Sequence, residues 1–282
     1  MNADELEQVA EAVRRDDNDR FLTALFAPAE VRPALYALYA FNIEIAKVAE
    51  TVSEPLIGRI RLQWWRDALG AIFDGRPAPR HTVAESLADA IGARELSRDC
   101  FMRLIDGRER DLDPEPPATL DDLIDYADAT SASLVELALD AAGGADDAMR
   151  ASGRQVGIGY ALAGIARSVA FMARGRRCLL PLSILKAEGI DVEDVLQGRA
   201  RAATARVVAV VAAESRRRLA EARASVRRPS RAVLAALLPA TLADGHLKRL
   251  AARGHDAFDP GLGAPMPGRY FRLAFNAWRG RF

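Results

Sequence analysis

Carboxylates four apart on a helix share one face, and such a face can chelate Mg²⁺, a hard cation that takes a few carboxylates and leaves room for phosphate oxygens. Asp121-Asp122-Leu123-Ile124-Asp125 has this spacing. Its setting points elsewhere. The segment follows Pro116-Pro117 and opens a helix, with Thr119 as N-cap and Asp122 completing a capping box at the positive helix end. Capping therefore outweighs metal binding at Asp121, Asp122 and Asp125. Asp16, Asp17 and Asp19 read as a solvated turn. Cys100 and Cys178 are the only cysteines and His81, His246 and His255 the only histidines, scattered without zinc or iron–sulfur spacing.

A second chemistry lies in the last residues. Arg269 to Phe282 sets Tyr270, Phe271, Leu273, Ala274, Phe275 and Trp278 among four arginines with no acidic residue. Such a helix suits an anionic membrane surface or a membrane-protein partner, or else docks on the core with its arginines outward. Arg216, Arg217, Arg218, Arg223, Arg227 and Arg228 form a second basic face that reads as solvated. Trp64 and Trp65 read as helix-packing residues, and exposure of either would indicate an interface.

These groups need a scaffold, and the sequence describes an all-α one. Apolar residues recur at helical spacing between Pro and Gly breaks, and alternating Val/Ile/Thr runs are missing. The spacing predicts helices over 4–15, 29–50, 54–74, 82–92, 97–111, 119–142, 146–173, 181–188, 200–226, 230–240, 243–253 and 268–279. Breaks fall at Gly75-Arg76-Pro77, from Pro114 to Pro117, at Gly143-Gly144 and from Pro260 to Pro267. None is long enough for a linker, so residues 1–282 read as one domain. Half of the chain is hydrophobic, ample for a core.

The 39 basic and 39 acidic side chains cancel, which argues against a nucleic-acid partner. The start, MNADELEQVAEAVRRDDNDRF, lacks the features of a signal peptide. The longest apolar run, Val207 to Ala213, is far short of the ~20 residues that span a bilayer. A cytoplasmic location is expected, with peripheral inner-membrane contact through the tail. The excess of Arg over Lys and the abundant Ala point to a GC-rich bacterial gene.

Four stretches together resemble the squalene/phytoene synthase family over roughly residues 20 to 190. They are RFLTALFAPAEVRPALYALYAF with the residues after it, RLQWWRDAL from Arg61, LIDGRERDLD followed by PATLDDLIDYADATSASL, and Gln155 through GYALAGIARSVAFMARGRRCLLP. The resemblance implies an all-α isoprenoid synthase fold around a deep apolar cavity. Active members join two prenyl diphosphates head to head, with Mg²⁺ held by two aspartate-rich clusters neutralising the leaving diphosphate. The first cluster, DDxxD, aligns here with Ala46, Lys47 and Glu50, and an arginine common just before it with Ile43. The second, NxxRDxxED, aligns with Gly164, Arg167, Ser168, Phe171 and Met172. On this alignment a cation, Lys47, and an apolar residue, Met172, stand where the family uses carboxylates for Mg²⁺.

The resemblance also marks cavity residues. Tyr126 aligns with a tyrosine near the reacting carbons, Tyr39 with an aromatic on the first-motif helix, and Arg177 with a basic residue before the LP of the second motif. Core packing is the plainer reading of both tyrosines. Phe41, Asn42 and Ile45 are expected beside them, and Gly157, Gly159 and Gly164 are expected to permit close helix packing.

The pattern AFNxExAxVxxxVSExxIGxxRxQWWRxAL, carried by Phe41, Asn42, Glu44, Val52, Ser53, Gly58, Arg61, Gln63 and Trp65, resembles one branch within the family. So does the ending YFRLAFNAWRGRF. That branch comprises the mitochondrial complex I assembly factors and their bacterial relatives. It implies a non-catalytic assembly factor for respiratory NADH:quinone oxidoreductase, with no cofactor and with a prenyl chain or other lipid as cavity ligand. Two alternatives stand beside it. One is an active prenyltransferase, with Mg²⁺ on Glu44, Glu50, Glu109 or Asp113 or with no metal; the other is a lipid carrier without a protein partner.

Overall fold

The computed structural model describes residues 3–113, 115–226, 228–264, 266 and 268–282. Pro114 and Pro267 of the expected breaks, and Arg227 of the second basic face, lie outside the described residues. Among these residues there is no strand.

The amino-terminal half is α1 (Ala3–Asp16), α2 (Asn18–Ala24), α3 (Arg32–Ala46), α4 (Val48–Thr51), α5 (Pro55–Phe73), α6 (Thr82–Ala93) and α7 (Arg98–Glu109). Most of α3 is buried, because most of its residues are apolar and α1, α6, α7 and the later helix Ser133–Ala141 all pack against it. Phe41 lies at the centre, edge-on to Trp65 at 5.2 Å and to Phe101 at 5.4 Å.

Then come α8 (Leu120–Ala127), α9 (Ser133–Ala141), α10 (Asp147–Arg167), α11 (Val169–Arg174), α12 (Leu182–Ala187), α13 (Val192–Leu196), α14 (Arg201–Ser225), α15 (Arg231–Leu237), α16 (Pro239–Ala251) and α17 (Arg269–Trp278). Thr119 caps α8 as expected. Its hydroxyl accepts from the Asp122 amide at 3.2 Å, and the Thr119 amide donates back to Asp122 Oδ2 at 2.9 Å. A π-turn over Asp128–Ala132 joins α8 to α9, so 120–141 stays helical throughout.

Two expected helices are interrupted. The span 29–50 breaks at Lys47, between α3 and α4, and the span 146–173 breaks at Ser168, between α10 and α11. At the second break the Ser168 hydroxyl donates to the Gly164 carbonyl at 2.7 Å, the kind of local side-chain bond that competes with a helix. Two short helices escaped the periodicity. Each starts at an aspartate cap, Asp17 for α2 and Asp191 for α13.

Glycines set how near α10 comes to its neighbours. A Cβ on Gly157 would stand 2.4 Å from the Ala132 Cα, and one on Gly159 would stand 2.7 Å from the Leu219 side chain. The Ser215 hydroxyl also reaches the Gly159 carbonyl, at 2.6 Å. Gly164 differs, since a Cβ there would meet nothing within 4 Å. Its place in close packing is therefore a sequence expectation the structure overturns. No helix among the described residues is long and apolar enough to cross a membrane.

Candidate functional site

A cavity of about 340 Å³ opens where the two interrupted helices face each other. Ala46 and Glu50 line it from the α3–α4 break, and Gly164, Arg167, Ser168, Phe171 and Met172 line it from the α10–α11 break. Two sets of residues far apart in sequence therefore share one wall space. Tyr126 and Arg177 join them, with Thr130 and Ser131 from the π-turn.

Other sequence expectations are corrected. Tyr39, Phe41, Asn42 and Ile45 do not line the cavity but are buried in the core behind it, because they lie where neighbouring helices pack against α3. Of these, Asn42 comes nearest, its Oδ1 accepting from Arg108 Nη2 at 3.4 Å. Lys47, unlike Ala46 and Glu50, does not line the cavity. Its Nζ reaches Asp16 Oδ2 at 2.8 Å, and it borders a separate groove with Glu44, Arg61, Trp64 and His81. Nor are Asp17 and Asp19 a solvated turn: both side chains are largely buried, Asp17 against Arg20 at 2.7 Å and Asp19 against His246 at 3.0 Å. Trp65 is buried, whereas Trp64 is partly exposed.

The cavity's polar wall joins Tyr126 and Arg177 through two residues the sequence did not single out, Arg108 and Asp111. Asp111 Oδ1 accepts from the Tyr126 hydroxyl and from Arg177 Nη2, both at 2.8 Å, and Oδ2 accepts from Arg108 Nη1 at 3.3 Å. Arg108 Nη1 also donates to the Tyr126 hydroxyl at 2.9 Å, while its buried Nε has no partner among the described residues. Burial pushes the Tyr126 phenol up and keeps it protonated. Burial works against the Arg108 charge, but Tyr126 and Asp111 outweigh it and hold the guanidinium above its ordinary value.

Across the cavity Arg20 lies over the Tyr160 ring at 4.9 Å. Burial of Tyr160, with Asp19 and Asp17 nearby, pushes that phenol up as well. Burial holds His246 below the ordinary imidazole value, with Arg167 adding to the effect. Asp19 is lowered despite its burial, since His246 bonds to it and Arg167 and Arg269 stand near. The pair is thus an Asp19 carboxylate beside a neutral His246, whose Nε2–H donates. Arg167 forms no ion pair among the described residues.

Mg²⁺ does not fit this donor set. Glu50 is an isolated carboxylate, Asp111 is committed to three donors, and no cluster of three or more His, Cys, Asp or Glu among the described residues could hold a metal. The other carboxylates considered lie elsewhere. Glu109 is paired with Arg66 at 2.7 Å, Glu44 borders the Lys47 groove, and Asp113 accepts the Glu115 amide. What the wall offers is four arginines, Arg20, Arg108, Arg167 and Arg177, beside apolar Ile165, Phe171, Met172 and Leu179. That combination suits an acidic group on an apolar chain. Arg108 and Asp111 stand three apart in LIDGRERDLD, a spacing that signals a helix pair but not a cavity wall.

Known proteins place this arrangement. The chain is 29% identical over 272 residues to the Bos taurus "NADH dehydrogenase (ubiquinone) complex I, assembly factor 6", covering 96% of this chain and 81% of that protein. It is 28% identical to the Homo sapiens counterpart, covering 95% and 80%. Phytoene synthase of Thermus thermophilus is 28% identical over 181 residues, 64% of this chain and 60% of that protein. Among solved structures, squalene synthase HpnC from Alicyclobacillus acidocaldarius superposes with a TM-score of 0.78 at 21% identity, over 90% of this chain and 95% of that one. A ligand-bound dehydrosqualene synthase superposes at 0.82 with 15% identity, over 98% and 96%. Both share the all-α isoprenoid synthase fold. The squalene/phytoene synthase profile matches residues 13–271, and the chain belongs to that family.

Proposed function

We propose that this single-domain protein is a non-catalytic family member that assists assembly of respiratory NADH:quinone oxidoreductase and keeps the cavity as a binding pocket for an acidic lipid or prenyl chain. The observation that carries the non-catalytic reading is the cavity wall. Among the described residues Glu50 and Asp111 are its only carboxylates, and they form no pair of facing clusters. The assembly role is supported by likeness to complex I assembly factor 6 over 81% of that protein's length. A cytoplasmic place of work and the absence of a cofactor belong to the same proposal.

Purified protein incubated with farnesyl or geranylgeranyl diphosphate and Mg²⁺ should release no diphosphate. Release above the blank that disappears in Glu50→Ala would establish the prenyltransferase reading instead. Extraction of the purified protein should yield an acidic lipid by mass spectrometry. If lipid is found but gene deletion leaves NADH oxidase activity unchanged, the carrier reading replaces the assembly one.

A further inference from the structure

The carboxyl-terminal helix stands apart from the cavity walls and presents a surface of a different kind. Leu273 is 1% exposed and fastens α17 to the core, with the Asn276 amide donating to the Thr241 hydroxyl at 2.9 Å on the inward side. Phe271 and Trp278 are 82% and 81% exposed, with Phe275 half-exposed between them. Positions 271, 274, 275 and 278 form one stripe on the face away from Leu273. Apolar residues therefore point both inward and outward, and the outward set has no partner in the fold.

Charge indicates what covers it. Residues 269–282 carry four arginines and no acid. Arg272, Arg279 and Arg281 have no carboxylate partner among the described residues, and Arg279 instead lies over the Phe275 ring at 5.4 Å. A cleft of about 1180 Å³ adjoins the stripe, bordered by Arg228, Arg279 and Arg281, by Arg223 in its pair with Asp244, and by Phe275 and Trp278, and among the described residues no Asp or Glu lines it. A second copy of this chain would bring arginines against arginines. Aromatic side chains flanked by unneutralised cations match the boundary of a bilayer, where rings enter the acyl edge and guanidinium groups meet lipid phosphates.

We propose that α17 is an interfacial anchor that seats the protein on an anionic bilayer, with Phe271, Phe275 and Trp278 entering the headgroup layer and Arg228, Arg272, Arg279 and Arg281 receiving lipid phosphates. The anchor is independent of what the cavity binds. It requires no spanning helix.

Co-sedimentation of the full chain with vesicles tests this. The protein should pellet with phosphatidylcholine vesicles containing about one-third phosphatidylglycerol, stay in solution with pure phosphatidylcholine, and be released by salt. Phe271→Ser with Trp278→Ser should lower the partition at least tenfold, and Arg272→Gln with Arg279→Gln about twentyfold. Unchanged circular dichroism would show that these variants remain folded, as their exposure predicts. Three outcomes would overturn the proposal: no binding to the acidic vesicles, equal binding by the variants, or a dimer in lipid-free sedimentation that Phe271→Ser with Trp278→Ser dissolves.

Discussion

Asp111 is the residue on which the cavity wall depends. One buried carboxylate receives Tyr126, Arg177 and Arg108, so removing it leaves largely buried arginines without their shared anion. Asp111→Ala should destabilise the fold by about 3 kcal/mol in urea unfolding. The Asp19–His246 pair makes a pH prediction. His246 has a folded pKa below its unfolded value, so the unfolded chain binds the proton more readily and stability declines as pH falls through 6.5. Asp19, also lowered, adds stability that is lost only further down, as pH falls below its unfolded value of 3.8. His246→Gln should flatten the decline near 6.5 and weaken the lower one, because His246 is the foremost cause that lowers Asp19. His255, also lowered by burial, keeps a residual slope in that variant.

Glycines of one helix separate packing from opening. Gly157→Ala would drive a methyl into the Ala132 backbone, which cannot move as a flexible side chain could, and should cost about 2 kcal/mol. Gly164→Ala, on the same helix and beside free space, should gain a few tenths of a kcal/mol from helix propensity, about the lower end of the usual range. Thermal unfolding of the two variants side by side reads both. Helix existence was legible from the 3.6-residue period, as α5, α6 and α14 illustrate, and so was the Thr119–Asp122 cap. The breaks at Lys47 and Ser168 were not, because they leave the apolar period intact on both sides. Among cavity residues, Tyr126, Arg177 and the α10–α11 set could be read from their motif. Arg20, His246 and the Arg108–Asp111 pair come from three separate segments whose meeting is decided by tertiary packing alone. Lys47 misled for a different reason: the chain turns there and sends its amine to Asp16.

At the scale of the whole molecule, the family fold is kept while the cavity presents arginines in place of facing carboxylate clusters. The outer surface carries features the cavity does not explain. Besides α17, the outer face of α5 exposes Leu56, Ile57, Ile60 and Trp64 together. A protein whose work is assembly needs surfaces of that sort more than it needs a reactive pocket. The direct test is deletion of the gene in its source cell, followed by native-gel quantification of assembled NADH:quinone oxidoreductase. The account predicts a several-fold fall in the assembled complex, with other respiratory enzymes unchanged, and full recovery by the chain carrying Glu50→Ala. Normal levels of assembled complex in the deletion strain, or recovery that fails only when Glu50 is replaced, would contradict it.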